Sequence, residues 1–373
     1  MEGRRPRATG TVGHGRRRTL RTVMRIGLLV GAAVVLAACA GQDLPQDTLA
    51  PEGPVARKQD GLWNLVFFVA VGVFVIVEGA LVLLLLRFRA KPTDVEPPKQ
   101  THGNTKLEVL WTIIPALILA VIAVPTVRLI FDLAAEPEGA LQVRVIAKQY
   151  WWEFEYTGEE GQGVITANEL VIPVDRPVFL TMESTGQNGT VATPNDPGVI
   201  HSFWVPKLAG KQDVVPGHTR TLTLEAEEPG VSYSGQCAEF CGLSHANMRL
   251  AVLALEPSEF EAWLASHTEG EAPPTSGDAA AGAELFTQRQ CIGCHAIRGY
   301  EGATARVGPD LTFFAERKKF AGYMLDNDVN DSAQNVSAWL ADPQAVKPGS
   351  QMPNLGLTDQ DIADLVAYLR TLK

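Results

Sequence analysis

Two stretches of nearly unbroken apolar sequence, residues 62–86 and 110–131, stand apart from the rest of the chain. Each is long enough to cross a hydrocarbon core of about 30 Å as a helix. Arg87, Arg89 and Lys91 follow the first, with Lys99 and Lys106 in the same connection, whereas Asp132, Glu136 and Glu138 follow the second. Basic residues gather on the cytoplasmic side of membrane segments. The pattern therefore predicts a helical hairpin over 62–131 with both ends, and everything after about residue 132, on the extracytoplasmic face. Thr105 and Glu108 have capping-box spacing ahead of the second span. Pro115 and Pro125 within it are tolerated in a membrane, where neighbours satisfy the freed carbonyls.

From about residue 140 the apolar period becomes two. Leu141–Ile146 and Tyr150–Tyr156 alternate in β-prone residues, and further runs cover Glu169–Pro173, Pro177–Glu183, His201–Val205, Thr219–Glu225, Val231–Ser234 and Met248–Leu255. Turn residues separate them, which predicts an all-β sandwich or barrel over 140–267. Ser258–His267 closes this region as a short helix, with Ser258 and Glu261 at capping-box spacing. Residues 268–281, rich in Gly, Pro, Ala, Thr and Glu, read as a linker. Residues 282–373 are mainly helical, and Ile362, Leu365, Val366 and Leu369 share one face of the last helix, Asp359–Leu372.

The N-terminus changes the compartment. Arginines through Arg25 precede the apolar run Ile26–Ala38, which ends Leu36-Ala37-Ala38-Cys39. A basic segment and a short apolar segment closed by small residues make residues 1–38 a secretory signal, more compact if it starts at Met24. The ending resembles a bacterial lipobox, which implies cleavage before Cys39 and lipid on its sulfur; residues 39–61 then form an extracytoplasmic linker. The 373-residue chain has 32 basic and 42 acidic residues. Residues 1–38 hold eight arginines and one acid, leaving 24 basic against 41 acidic, a balance of −17. That surface repels nucleic acid and steers basic partners toward it.

The remaining four cysteines carry the chemistry. Cys291-Ile-Gly-Cys294-His295 is the C-x-x-C-H pattern of covalent haem c attachment, with His295 as one axial ligand. His–Met ligation favours electron transfer, and the candidate methionines are Met324 and Met352. Met352 is preferred because it lies in Lys347–Pro353, a Met-Pro loop ahead of the last helix. Upstream, Cys237-Ala-Glu-Phe-Cys241-Gly-Leu-Ser-His245-Ala-Asn-Met248 packs soft and borderline ligands into one loop. With His201 it offers two thiolates, two imidazoles and a thioether. Two metals bridged by the thiolates, each with one imidazole, would use that set. A disulfide or a Cys₂His₂ zinc site competes, and neither gives Met248 a role.

The segment G-Q-C-A-E-F-C-G-x-x-H-x-x-M, with upstream H-S-F-W-V-P, resembles the CuA segment of cytochrome c oxidase subunit II over roughly residues 60–265. Taken with the C-terminal motif, the chain is similar to subunit II of the haem-c-fused oxidases. The resemblance implies a multidomain fold: a transmembrane α-helical hairpin, an all-β cupredoxin-like Greek-key sandwich and a mainly α cytochrome c domain. It implies dinuclear copper (CuA) bridged by Cys237 and Cys241, with His201 and His245 terminal and Met248 and the Glu239 carbonyl weaker. The Glu239 side chain would face magnesium at the subunit I boundary. Tyr150, Trp151 and Trp152 occupy the electron-input region, where Tyr150 replaces a tryptophan frequent in the family; that departure speaks against a soluble cytochrome docking directly over the copper. Glu108 matches an acid linked to proton uptake and equally suits a helix cap. The implied partners are oxidase subunits I and III and a donor cytochrome c or cytochrome bc-type complex, at the bacterial plasma membrane. The implied role is electron input for oxygen reduction coupled to proton translocation. A quinol oxidase subunit, a membrane-tethered electron shuttle without an oxidase partner, and a zinc scaffold are the rivals.

Overall fold

The computed structural model describes residues 25–27, 29–31, 44–89, 100, 102–159, 161, 163–186, 191–193, 195–270, 272–327 and 332–373. Cys39 lies outside them, as does most of segment 1–38. Residues Pro45–Lys373 form one unit.

Two long helices lead it, α1 (Pro54–Arg87) and α2 (Thr105–Ala134). Both extend past the apolar runs, because their polar ends pack on the chain rather than on lipid: Val55 and Ala56 are buried, and Lys58 pairs with Asp132 at 2.7 Å. Further along, Phe68, Leu85 and Val121 are exposed, at 69%, 73% and 68%. Those faces bury nothing among the described residues and need lipid or another subunit. The cap of α2 is Asn104, whose side chain accepts from the Lys106 and Leu107 amides; Thr105 is already the first helical residue and the expected capping box does not form.

Ten strands build the next region: β1 (Leu141–Lys148), β2 (Trp151–Tyr156), β3 (Ile165–Ala167), β4 (Glu169–Pro173), β5 (Val178–Ser184), β6 (His201–Trp204), β7 (Gln212–Val214), β8 (Arg220–Leu224), β9 (Ser232–Cys237) and β10 (Arg249–Leu255). They form two five-stranded sheets, ordered β3-β2-β1-β5-β8 and β4-β10-β9-β6-β7, a cupredoxin-like sandwich. β3 and β7 escaped the sequence reading because three residues hold too little alternation to register. The inward faces meet in a core that includes Val145, Phe154, Leu180, Phe203, Tyr233 and Val252. The Tyr156 hydroxyl, on β2, donates to the Val171 carbonyl at 2.7 Å and accepts from the Val171 amide at 2.9 Å on β4, tying one sheet to the other. Helix α3 (Pro257–Ser266) follows, capped by Glu256, whose amide donates to Glu259 at 3.4 Å, and not by the expected Ser258–Glu261 pair. Pro257 sets that cap two residues early, at Glu256 rather than Ser258, since proline fits the first helical position.

Helix α4 (Gly277–Gln288) begins inside the stretch expected as linker 268–281. The run Asp278-Ala-Ala-Ala there supplies strong helix formers behind an acidic first turn. The two-residue strands β11 (Lys319–Phe320) and β12 (Leu325–Asp326), then helices α5 (Ser332–Ala341), α6 (Pro343–Val346) and α7 (Asp359–Leu369) complete the chain. α4 packs on α7 around Phe286 and Tyr368, and Ile362, Leu365, Val366 and Leu369 are all buried.

Candidate metal and haem sites

β9 ends at Cys237, and the chain returns through Cys241 and a 3₁₀ turn, His245–Asn247, into β10. Arg249 pairs with Gln236, so the ladder holds both ends of the loop. β6 adjoins β9 with Phe203 opposite Cys237, which brings His201 to the thiols from 36 residues away. Cys237 and Cys241 are buried free thiols with their sulfurs 3.9 Å apart. His201 Nδ1 lies 3.9 Å from Cys237 Sγ, and His245 Nδ1 lies 3.7 Å from Cys241 Sγ. The Glu239 carbonyl is 3.3 Å from Cys237 Sγ, and Met248 Sδ is 3.9 Å from Cys241 Sγ. Each sulfur thus has its own imidazole and its own weak donor.

These separations suit a metal site. Metal–thiolate bonds of about 2.3 Å and metal–imidazole bonds of about 2.0 Å in tetrahedral geometry place donors roughly 3.6–3.8 Å apart. The hydrogen bond between the two thiols pushes Cys237 well below the usual thiol range, with His201 adding to it, and pushes Cys241 up. Two thiolates this close cannot both ionise without a cation to share. The donor chemistry fits a thiophilic metal, and copper among them.

The C-x-x-C-H segment forms a 3₁₀ turn, Cys291–Gly293, directly after α4, and His295 follows it. His295 Nδ1 is 2.7 Å from the Pro309 carbonyl, which fixes Nδ1 as the protonated nitrogen and leaves Nε2 free to ligate. Burial lowers the His295 pKa, favouring the neutral ring that a metal requires. A Cβ at Gly308 would come within 2.5 Å of the ring, so only glycine lets the loop back the histidine. The cavity in front of this ring is lined by Cys291, Cys294, Phe314, Trp339 and Leu365, with Met352 among its walls. Met324 is not among them. Thiols, imidazole, thioether and apolar walls fit a covalently attached haem.

Gln149, Tyr150 and Trp151 of the sandwich line the same cavity. Successive strand residues face opposite sides, so Trp152 turns inward instead, its ring 6.0 Å from His201 and 5.3 Å from Phe203. This stretch therefore has one face toward the cavity and one toward the thiol loop. Gln149 Nε2 donates to the Cys241 carbonyl at 2.6 Å, and Lys347 Nζ donates to the Tyr150 carbonyl at 2.6 Å. Lys347 is buried, which pushes it down to about 7 against the pull of the Cys241 sulfur. Nearby, Arg306 pairs with the fully buried Glu153 at 2.5 Å and with Glu155; Glu153 also meets Lys148 at 3.2 Å. Burial opposes ionisation of Glu155, but Arg306 and Arg144 hold it below the usual carboxylate range. Glu169 accepts from the Lys318 and Lys319 amides at 2.8 and 3.0 Å, and burial raises it to about 7. None of Lys347, Arg306, Glu153 or Glu169 stood out in the sequence, where each reads as an ordinary charge. The loop position of Lys347, five residues before Met352, was the one signal available.

A membrane-anchored sandwich with a thiolate–imidazole loop beside a cytochrome-type cavity defines the class of redox subunits that relay single electrons at membranes. The family descriptions "Cytochrome C oxidase subunit II, transmembrane domain", "Cytochrome C oxidase subunit II, periplasmic domain" and "Cytochrome c" match residues 46–129, 141–255 and 279–373. Cytochrome c oxidase subunit 2 of Alkalihalophilus pseudofirmus is 38% identical over 360 residues, covering 95% of this chain and 98% of that one. The Bacillus subtilis protein of the same name is 34% identical over 365 residues, covering 93% and 96%. The crystal structure of the periplasmic domain of subunit II of cytochrome oxidase (CoxB) of Bradyrhizobium japonicum is 25% identical, with a TM-score of 0.30, over 35% of this chain and 95% of that one. The chain belongs to the cytochrome c oxidase subunit II family, with a cytochrome c domain at its C-terminus. It is a membrane subunit of a haem–copper oxidase with an electron-transfer role, binds haem and copper, and associates with other oxidase subunits.

Proposed function

We propose that this chain is the electron-input subunit of its oxidase and carries its own donor cytochrome. Bound haem c and a dinuclear copper centre would supply one-electron carriers between a donor cytochrome c or bc-type complex and haem in subunit I, where oxygen is reduced with proton translocation. Cys237 and Cys241 bridge the copper pair, His201 and His245 cap its ends, and Met248 and the Glu239 carbonyl are the weak donors. The Glu239 carboxylate turns to magnesium at the subunit I boundary, with subunit III completing the assembly. Cys291 and Cys294 hold the haem vinyls, and His295 and Met352 ligate its iron. Tyr150, Trp151 and Trp152 lie between the two centres. The helices over 62–131 pass the plasma membrane twice, with the cytochrome and copper regions outside and Cys39 as lipid attachment point.

One observation carries the copper assignment: each imidazole faces its own sulfur, at 3.9 and 3.7 Å, and each sulfur has its own weak donor. A single-metal site would converge both imidazoles on one point. Metal analysis and electron spin resonance of the purified oxidase test it. Two coppers per chain sharing one unpaired electron are expected; a single localised copper, or zinc, would overturn the dinuclear reading.

A further inference from the structure

The Met352 loop and the Cys241 loop lie on different domains, 111 residues apart in sequence, yet a short run of hydrogen bonds joins them. Met352's amide donates to Ser350 Oγ at 3.3 Å, and the Ser350 amide donates to the Lys347 carbonyl at 3.0 Å. The Lys347 ammonium reaches across to the Tyr150 carbonyl at 2.6 Å. One peptide back, the Gln149 side chain grips the Cys241 carbonyl at 2.6 Å. Among the described residues the Lys347 ammonium donates to one acceptor, the Tyr150 carbonyl, and that acceptor belongs to the other domain. The loops also touch directly: Gly349, at φ +86°, has Leu243 Cβ only 2.7 Å from where its own Cβ would stand. A lysine kept 4% exposed against a backbone carbonyl loses hydration that a surface position would keep. Packing alone gives no reason for it, since an apolar side chain would fill the space without that cost.

We propose that Lys347 is a positioning residue for electron transfer: it pins the methionine-bearing loop of the cytochrome domain to the Gln149–Tyr150 turn, and through it to the Cys241 loop. The pin fixes the separation and orientation of the two redox sites, so the cytochrome domain works docked rather than swinging on a tether. This deepens the proposed relay and rests on it.

The experiment uses the complete oxidase with haem and copper bound. After rapid photoreduction of haem c, copper reduction is followed optically in wild type, Lys347→Met and Lys347→Arg. Losing the pin is expected to slow the transfer at least about tenfold, as loss of positioning does in other bimolecular steps made intramolecular. The haem band, the copper band and both midpoint potentials should stay in place, and Lys347→Arg should restore most of the rate. Wild-type transfer in Lys347→Met overturns the pin and leaves the relay intact; so does a slowed rate accompanied by a shifted haem potential. Failure of copper to be reduced through haem c in wild type overturns the relay itself. A readout independent of turnover is amine acylation of the native wild-type oxidase, read by mass spectrometry. Lys347 should react at least about tenfold more slowly than the exposed Lys211, and equal reactivity overturns the docking even where the methionine variant does not assemble.

Discussion

The copper loop and the haem pocket solve the same problem, holding a redox group, by opposite means. At the copper loop the sheet frames the donors: β9 ends on Cys237, β6 begins on His201, and the β9–β10 ladder closes the loop that carries the others. The metal need only occupy a place the strands already define. The haem pocket draws its parts from Cys291 to Met352 and is walled by residues of the domain's apolar cluster, Phe286, Phe314, Trp339 and Leu365 among them. There the group is itself core. A metal held by a ladder should be dispensable to folding; a porphyrin that fills a core should not.

The largest effect tests the second half of this contrast. Cys291→Ala with Cys294→Ala removes covalent haem attachment and leaves the apolar walls without their filling. The expected outcome is loss of the folded cytochrome domain, seen as proteolysis within 268–373 and lost helical circular dichroism, while the sandwich stays intact. A fully helical, protease-resistant double variant would break the comparison. Next, Cys237→Ser replaces a soft thiolate by a hydroxyl. Copper affinity should fall by roughly two orders of magnitude or more, with the thermal transition of the sandwich shifted by only a few degrees. Collapse of the sandwich in that variant would show that the loop, too, depends on its metal.

What could be read from the sequence follows the same division. The candidate donors were legible where their chemistry is local: Cys237 to Met248 is one loop, and C-x-x-C-H one turn, whereas the sheet brings His201 in from 36 residues away. The helices were legible as apolar runs, though not their polar ends or the caps Asn104 and Glu256, which fall one and two residues ahead of the expected Thr105 and Ser258 because backbone geometry decides them. The junction was illegible. Lys347 meets Tyr150 across 197 residues, and Arg306 meets Glu153 across 153. No pattern along the chain marks a charge that will be buried by a different domain.

That junction sharpens the comparison, because there the rigid region meets the cofactor-dependent one. Arg306→Met leaves the fully buried Glu153 with Lys148 alone. Removing one partner of a buried charge network costs on the order of 3 kcal/mol. The docked state should weaken accordingly, measured as faster amide exchange across 151–156. Unchanged exchange would mean that Lys148 suffices and that Arg306 is incidental to docking.

The smallest effect is a dependence on pH. Glu169 faces the Lys318 and Lys319 amides and the charges of Arg317 and Lys318, with Tyr323 near and His267 and Glu316 along the same cleft. Burial raises its carboxyl from 4.5 to about 7. Between those values the docked state holds a proton that the open state has released. Docking is therefore strongest below about 4.5 and weakens as pH rises through about 7. From pH 6 to 8 the change amounts to about 1 kcal/mol. Hydrogen exchange at the Lys318 and Lys319 amides, followed across that range after correction for intrinsic rates, should show rising opening. Glu169→Gln keeps an acceptor but cannot ionise, so its opening should lose that slope while His267, lowered by its own burial, stays in place. A slope that survives in Glu169→Gln would assign the pH response to the His267–Glu316 pair, 3.3 Å apart, and leave Glu169 as a neutral hydrogen-bond acceptor at the seam.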